Sequence, residues 1–114
     1  MRIAVASDGL NVSTSLEGSA SITFYTIVNG RTTECQNLPN PHLPLDKLAD
    51  ALQQLDVRVA IAHSFDTAAT ACLASRGIDT CRTSTQLSSA AMEAYLRGLL
   101  SCPEDLFDDE EVPA

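Results

Sequence analysis

The chain has 114 residues, a hydrophobic fraction of 45 % and a formal net charge of −8, which fits one domain with a single core and excludes two. Six of the fifteen acidic residues lie between Glu104 and Glu111, where no Lys or Arg occurs, and without them the net charge is −2. A nearly balanced body offers no basic surface for a phosphate backbone, so nucleic-acid binding is not expected. We expect a folded domain over residues 1–102 and an acidic, disordered tail over 103–114.

The first apolar run spans only residues 3–6, which is too short for the core of a signal peptide. No stretch reaches the roughly 18 apolar residues of a membrane span. The four cysteines, at positions 35, 72, 81 and 102, form no C-x-x-C pair and are too sparse for a disulfide scaffold. A cytoplasmic protein without a membrane segment is therefore expected.

The N-terminal third predicts a strand, a loop and a hairpin. Residues 2–7 are typical of a buried strand, which ends in the turn-forming Ser7-Asp8-Gly9. Residues 9–21 are rich in Ser, Thr, Asn and Gly and predict a long loop, either functional or a plain surface connection. Asn29-Gly30 then predicts a two-residue hairpin turn. Such a turn pairs Phe24 with Cys35, which would make Cys35 a small buried residue on the sheet face of Phe24.

A proline-rich loop over residues 37–44 precedes an amphipathic helix over 45–55. The apolar run of residues 57–62 then stops at His63-Ser64 and passes directly into a helical pattern. That sequence predicts a buried parallel strand, a tight turn and a helix, and ligands usually bind at such a turn in open α/β sheets. The inward face of this helix is expected to hold Phe65, Ala68, Ala69 and Cys72.

A second strand–turn–helix unit follows. Gly77 predicts a helix end, and residues 78–82 predict a short strand. Thr83-Ser84-Thr85-Gln86 matches a capping box, which predicts that a helix opens there and ends near Gly98. The element order predicts an α/β fold with a mixed five-stranded sheet, one antiparallel strand from the hairpin, and helices on both faces.

Four segments of the sequence also occur in the same order as similar segments of one known family. They read Arg2-Ile-Ala-Val-Ala-Ser-Asp-Gly9, Thr23-Phe-Tyr-Thr-Ile-Val28, Leu55-Asp-Val-Arg-Val-Ala-Ile-Ala62 and Leu73-Ala-Ser-Arg-Gly-Ile-Asp79. Over residues 1–100 they resemble the dinitrogenase iron–molybdenum cofactor biosynthesis family, the NifX-like domain also found at the end of NifB proteins. The resemblance implies a ribonuclease H-like motif and a role in carrying an iron–sulfur or iron–molybdenum type cofactor or its precursor.

Two segments depart from that family. Its members commonly carry a Gly-His-Phe-Gly-like segment before the second strand, whose histidine is a candidate cluster ligand, and the corresponding stretch here reads Leu16-Glu-Gly-Ser-Ala20. The glycine-rich loop after the fourth strand is replaced by His63-Ser64-Phe65-Asp66. His63 is therefore the imidazole expected to serve as the metal ligand.

Three turns are expected to converge at one sheet edge and to bind an anionic cofactor with backbone amides and polar side chains. The alternative is that Ser64 and Ser84 are ordinary helix caps and that His63 is an exposed turn histidine. His42, in the proline-rich loop, is expected to lie on the surface. The candidate cofactor-binding residues are Ser7, Asp8, Gly9, His63, Ser64, Thr83 and Ser84.

An enzyme is not expected. A ribonuclease H-like nuclease needs several carboxylates around two divalent ions, and only Asp8 and Asp66 lie at suitable strand or helix ends. No P-loop or G-x-G-x-x-G segment occurs. We therefore expect a small carrier protein that meets metallocluster assembly proteins. The alternatives are a cofactor-less adaptor that acts through its acidic tail or a sheet edge, and a hydrolase of small phosphorylated substrates.

Overall fold

The computed structural model describes residues 1–84 and 87–97, so the predicted acidic tail lies outside the described residues. Nine elements follow one another along this part of the chain. In chain order they are β1 (Arg2–Asp8), β2 (Asn11–Val12), β3 (Ser21–Val28), β4 (Arg31–Pro39), α1 (Leu45–Gln54), β5 (Val57–Ala62), α2 (Thr67–Ala74), β6 (Asp79–Arg82) and α3 (Ser88–Leu96).

The strands form one mixed sheet in the order β4-β3-β1-β5-β6, with β2 paired to the end of β1. β3 is antiparallel to β1 and β4, whereas β5 is parallel to β1 and β6. The mixed α/β sheet expected from the sequence is thus confirmed, but it has six strands rather than five. The additional strand arises because Gly9, with φ +65°, closes a tight turn that lets Asn11 pair with Asp8 inside the predicted loop.

Helices cover both faces of the sheet, as the sequence predicted. α1 and α2 lie on one face, where Leu48, Leu52 and Leu73 belong to the same buried cluster as alternate residues of β1, β3 and β5. α3 lies on the other face and contributes Ala91 and Met92 to a second cluster. Because successive strand residues alternate between faces, the central strand β1 supplies both clusters and is buried from its second residue to its sixth.

The β3–β4 hairpin has the predicted turn but a different register. Asn29 and Gly30 both have positive φ, 53° and 75°, as a type I′ turn requires. A bulge at Thr33 adds one residue to β4, so Cys35 lies opposite Tyr25, and the predicted pairing of Phe24 with Cys35 is wrong. A one-residue shift moves a side chain to the other sheet face, and Cys35 is exposed rather than buried.

Most residues predicted to face inward from α1 and α2 are buried or partly buried, with one exception. α1 buries Leu48, Ala49 and Leu52 as expected from its pattern. α2 buries Ala69 and Leu73, whereas Ala68 is exposed and does not belong to the inward face. Gly77, with φ +75°, follows α2 in the left-handed conformation that the sequence predicted. Phe65 and Cys72 pack partly buried against the α1–α2 cluster.

The sequence also led to expectations about membrane segments and cysteine pairing. Within the described residues, no helix is long and apolar enough to cross a membrane. Cys81 in β6 is fully buried and disulfide-bonded, a bond that the cysteine spacing did not reveal. The other two cysteines in this part of the chain, Cys35 and Cys72, are free thiols. The cytoplasmic location stays a prediction.

Candidate functional site

The turns that follow β5 and β6 meet at the carboxyl edge of the sheet. Ala62 pairs with Arg82, and the N–H of Thr83 donates to the carbonyl of Ala62 at 3.0 Å. This register brings the exposed ring of His63 to Thr83, whose carbonyl oxygen lies 2.9 Å from His63 Nδ1. Two of the three turns predicted to converge are therefore in direct contact. We call this part of the molecule, His63 and Thr83 with their immediate neighbours, the His63 edge.

A segment that the sequence did not single out completes the His63 edge. Ser13 donates its N–H to the carbonyl of Ala6 at 2.7 Å, so the chain after β2 continues alongside β1. On its other side, the N–H of His63 donates to Ser13 O at 3.0 Å, and that of Ser64 donates to Thr14 O at 2.9 Å. Ser13 and Thr14 thus connect the ends of β1 and β5. Their only sequence signal was the length and the Ser/Thr content of the predicted loop.

The start of α2 is already supplied with negative charge. Ser64 donates its hydroxyl to Thr14 O at 3.1 Å and neither opens nor caps a helix, contrary to expectation. The cap is Asp66, whose Oδ1 accepts from the N–H of Ala69 at 2.7 Å. A carboxylate at this end satisfies a helix amide and compensates the positive end of the helix dipole. An anion approaching α2 would meet Asp66 before it met unpaired amides.

The predicted helix start at Thr83-Ser84 is also wrong, because α3 begins at Ser88 with no side-chain cap. The reason lies in contacts with the N-terminal hairpin. Leu87 forms an isolated bridge with Asn11, and the N–H of Ser88 donates to the carbonyl of Leu10 at 2.8 Å. These pairings hold Leu87 in an extended conformation, and α3 begins only after it. The second half of the predicted capping box, residues 85–86, lies outside the described residues.

Ser7 lies inside the protein rather than at a ligand-accessible edge. Its side chain is fully buried, and its Oγ lies 2.8 Å from Thr23 Oγ1 and 3.1 Å from Ser88 Oγ. It also donates to Val5 O at 3.1 Å, and Asn37 Nδ2 donates to Thr23 Oγ1 at 2.9 Å. This hydroxyl network joins β1, β3, β4 and α3. Within the described residues every buried side-chain nitrogen and oxygen has a partner, so the network is complete without a ligand.

Asp8 and Gly9 lie at the N-terminal hairpin turn. Asp8 Oδ1 accepts a hydrogen bond from the N–H of Ala20 at 2.9 Å and so holds the returning chain. Gly9 borders an open groove of about 640 Å³ whose wall also includes Tyr25 and Cys35. His63 is not part of that wall, so the structure separates this turn from the His63 edge.

Tyr25 in the groove wall carries the clearest change in acidity. Burial, chiefly, and the neighbouring Cys35 thiol together raise the pKa of Tyr25 to about 12. The folded protein holds this proton more tightly than the unfolded chain does. The protonated phenol therefore stabilises the folded state fully below about pH 10, and this stabilisation is lost between about pH 10 and 12.

In a Tyr95→Phe background, absorbance at 295 nm is expected to follow one phenol with a midpoint near 12. A midpoint near 10 in protein that is still folded would contradict this.

The donor set for a metal at the His63 edge is small. Among residues 1–84 and 87–97, no group of three or more His, Cys, Asp or Glu side chains could hold a metal ion. The other histidine, His42, lies in the loop before α1, where its N–H donates to Asn40 Oδ1 at 2.9 Å. The edge therefore offers a metal one imidazole, His63, held by a backbone carbonyl.

Comparison with known proteins identifies the fold but not the activity. No protein-family model and no curated protein matches the chain. Solved structures do match. A dinitrogenase-like protein of Methanocaldococcus jannaschii is 14 % identical with a TM-score of 0.75, covering 90 % of this chain and 93 % of its own. A NifB-like Thermotoga protein of the DUF35 family is 22 % identical with a TM-score of 0.72, covering 88 % and 90 %. The apo form of the orange protein of Desulfovibrio gigas is 18 % identical with a TM-score of 0.74, covering 88 % and 90 %. These likenesses show a shared NifX/DUF35-like fold.

Proposed function

We propose that this protein is a small, non-enzymatic carrier of an iron–sulfur or iron–molybdenum type cluster or its precursor, with His63 as the metal ligand. The observation that carries the proposal is the exposed imidazole of His63, fixed through Nδ1 to the carbonyl of Thr83 at the carboxyl edge of the sheet. Metal-binding histidines usually donate their second ring nitrogen to a carbonyl or carboxylate in this way. The ribonuclease H-like motif belongs to the same proposal.

The chemistry of the edge fits such a cargo in part. Neutral imidazole is a suitable ligand for iron, and the ring is open to solvent. The names of the proteins with the same fold, dinitrogenase-like, NifB-like and an apo form of the orange protein, favour a role in metallocluster chemistry. In contrast, the amides of His63 and Ser64 already have acceptors. We therefore assign the binding of the cargo chiefly to the imidazole rather than to an amide cradle.

A carrier needs partners that load and unload it. We propose metallocluster assembly proteins in the cytoplasm as these partners, without nucleic acid or membrane.

Asp8 and Asp66, the two carboxylates considered for a nuclease, each accept a backbone N–H, from Ala20 and Ala69 respectively. Structural roles for both residues favour binding over hydrolysis.

Anaerobic titration with a synthetic cubane iron–sulfur cluster tests the proposal. Wild-type protein is expected to develop the charge-transfer absorbance of one bound cluster per chain, and His63→Ala is expected to bind at least about tenfold more weakly. His42→Asn is the matched control, since it removes the other imidazole at a position whose φ of +53° asparagine tolerates. Featureless absorbance in both wild type and His63→Ala would refute the carrier function.

A second candidate, a cofactor-less adaptor, is favoured by the outer edge of the sheet. β4 is the edge strand next to β3, and all nine of its residues are exposed. An exposed edge can accept an extended segment of another protein through backbone hydrogen bonds. Replacing Gln36 by proline removes one backbone N–H from β4, and a pull-down with an unchanged set of partners would argue against this edge. Deleting residues 103–114 tests the acidic tail in the same assay.

A further inference from the structure

An open groove of about 640 Å³ lies on the α3 side of the sheet. Its floor consists of two cross-strand pairs of β3 and β4, Thr23 with Asn37 and Tyr25 with Cys35. Sites for small molecules usually have volumes of roughly 300 to 1,000 Å³. The groove therefore has the size of a ligand site, and it lies apart from the His63 edge.

The polar groups of the floor already have hydrogen-bond partners. Thr23 Oγ1 lies 2.8 Å from Ser7 Oγ and accepts a hydrogen bond from Asn37 Nδ2 at 2.9 Å. Ser88, at the start of α3, also lines the groove, and its Oγ lies 3.1 Å from the same Ser7 oxygen. A ligand therefore does not need to supply hydrogen bonds to this network.

The rim of the groove carries exposed apolar surface. Leu10, in the N-terminal hairpin turn, and Leu87, before α3, line it with exposed fractions of 80 % and 51 %. These are the two highest values among the large apolar side chains that the structure describes. The bridge of Asn11 with Leu87 and the hydrogen bond from Ser88 N–H to Leu10 O hold the two segments together. Exposed apolar surface around a concave site is typical of a binding site, because covering it is favourable.

The groove is uncharged, although the chain has a formal net charge of −8. None of the described residues that line it is Asp, Glu, His, Lys or Arg. Tyr25 also stays neutral, because burial, chiefly, and the Cys35 thiol raise its pKa to about 12. A charged ligand would lose hydration here without gaining a partner of opposite charge from these residues. The groove thus favours neutral ligands.

We propose that this groove binds a neutral, largely apolar small molecule. Binding is driven by covering the two leucines of the rim and the Tyr25 ring. Specificity comes from the cost of placing a charge among uncharged lining residues. The site is independent of the proposed carrier function, because it uses other residues on another part of the sheet.

Two fluorescent probes with the same ring system test the charge selectivity. N-phenyl-1-naphthylamine is neutral, and 8-anilino-1-naphthalenesulfonate carries the same rings with one added sulfonate. Wild-type protein is expected to bind the neutral probe at least about tenfold more tightly than the anionic probe. Equal or tighter binding of the anionic probe would overturn the proposal.

A charge placed in the groove tests whether the probes bind there. Cys35→Lys adds a positive charge at an exposed position of the floor and is expected to tighten binding of the anionic probe at least about fivefold. Gln36→Lys is the matched control, since Gln36 is exposed, follows Cys35 in β4 and lies opposite Phe24 on the other sheet face. Its affinity for the anionic probe is expected to stay within about twofold of wild type. Equal tightening in both variants would refute the groove as the binding site.

The free thiols of Cys35 and Cys72 give a second readout that does not depend on fluorescence. Cys35 lines the groove, whereas Cys72 packs against the α1–α2 cluster on the other face of the sheet. With the neutral probe at ten times its Kd, alkylation of Cys35 by iodoacetamide is expected to slow about tenfold, because only the unoccupied groove reacts. Alkylation of Cys72 is expected to keep its rate. Equal effects on both thiols would contradict binding in the groove.

Other occupants of the groove give different results. Binding of the neutral probe only after deletion of residues 103–114 would assign the groove to the chain's own tail. Binding that weakens as the protein concentration rises would assign it to a second copy of the chain. Either result would overturn the proposal, and so would failure of the neutral probe to bind. The carrier function would stand in each case, because it depends on His63 and is measured by cluster titration.

Discussion

Asn40→Asp is expected to destabilise the folded protein by on the order of 3 kcal/mol at neutral pH. Asn40 is 6 % exposed, and its Nδ2 donates to the carbonyls of Leu16 and Ser19 at 3.1 and 3.0 Å, while its Oδ1 accepts from the N–H of His42. Aspartate has nearly the same shape but, when ionised, only accepts hydrogen bonds. The substitution would place a buried negative charge against carbonyl oxygens that have lost their donor.

The pH dependence of Asn40→Asp separates this cause from a packing defect. Burial and the carbonyl oxygens raise the pKa of the new carboxyl in the folded state. The folded variant therefore binds a proton more tightly than its unfolded chain, and the destabilisation relative to wild type is expected to shrink as the pH is lowered from 7 toward 4. Urea unfolding at both pH values measures this difference.

Asn37→Asp is the matched control for Asn40→Asp. Asn37 also donates through Nδ2, to Ser21 Oγ and Thr23 Oγ1, both at 2.9 Å, but its side chain is exposed on the edge strand. Water can replace the lost donors there, so a loss of only about 1 kcal/mol is expected. Equal losses in the two variants would contradict the importance of burial at Asn40.

The Asn40 contacts also matter for the candidate site. Residues 16–19, which Asn40 contacts, lie one residue beyond the Ser13-Thr14 segment that supports His63. Loosening them is expected to disturb the His63 edge as well as global stability. Hydrogen exchange of the His63 and Ser64 amides in Asn40→Asp, under conditions where it stays folded, would detect this effect as faster exchange than in wild type.

The second large effect is expected for Leu73→Ala, at about 3 kcal/mol. Leu73 is fully buried in the cluster that joins α1, α2 and the sheet. Truncation removes apolar contacts and leaves a cavity that a close-packed interior fills only partly. The free energy of unfolding from urea titration measures the loss.

Leu10→Ala serves as the comparison, because the Leu10 side chain is 80 % exposed. Its backbone carbonyl, which accepts from Ser88, is unaffected by the substitution. A change within about 0.5 kcal/mol is expected. If Leu73→Ala cost no more than Leu10→Ala, the described packing of α2 would be wrong.

The sequence predicted elements with a strong repeating pattern and missed features that depend on one or two residues. The apolar run ending at Ala62 and the Asn29-Gly30 turn carry clear signals, and both were confirmed. β2 has only two residues, too few for any periodicity to appear. The choice between Ser64 and Asp66 as the cap of α2 could not be made either, because both residue types favour that position.

The sequence indicated the turn after β5 but not the residues that contact it. A polar turn after a buried parallel strand indicated His63 and Ser64. The contact between His63 and Thr83 required the parallel register of β5 and β6, and that of Ser13 with His63 required the chain path after β2. Both are long-range backbone pairings, which no local residue pattern specifies. Ser7 was misplaced for the same reason, since its burial depends on α3 packing over the sheet.

Thr33 is the one residue of β4 without a register partner in β3. It determines which face of the sheet each later side chain of β4 occupies. Beyond it, Leu38 lies opposite Ile22 on the side of α1, and Cys35 lies opposite Tyr25 on the other side. Deleting Thr33 would exchange these sides while leaving every later side chain chemically unchanged. The solvent reactivity of a thiol in this protein is thus governed by a residue two positions away that never touches the reagent. A single insertion or deletion near a hairpin turn can in this way change which side chains are exposed along the whole strand.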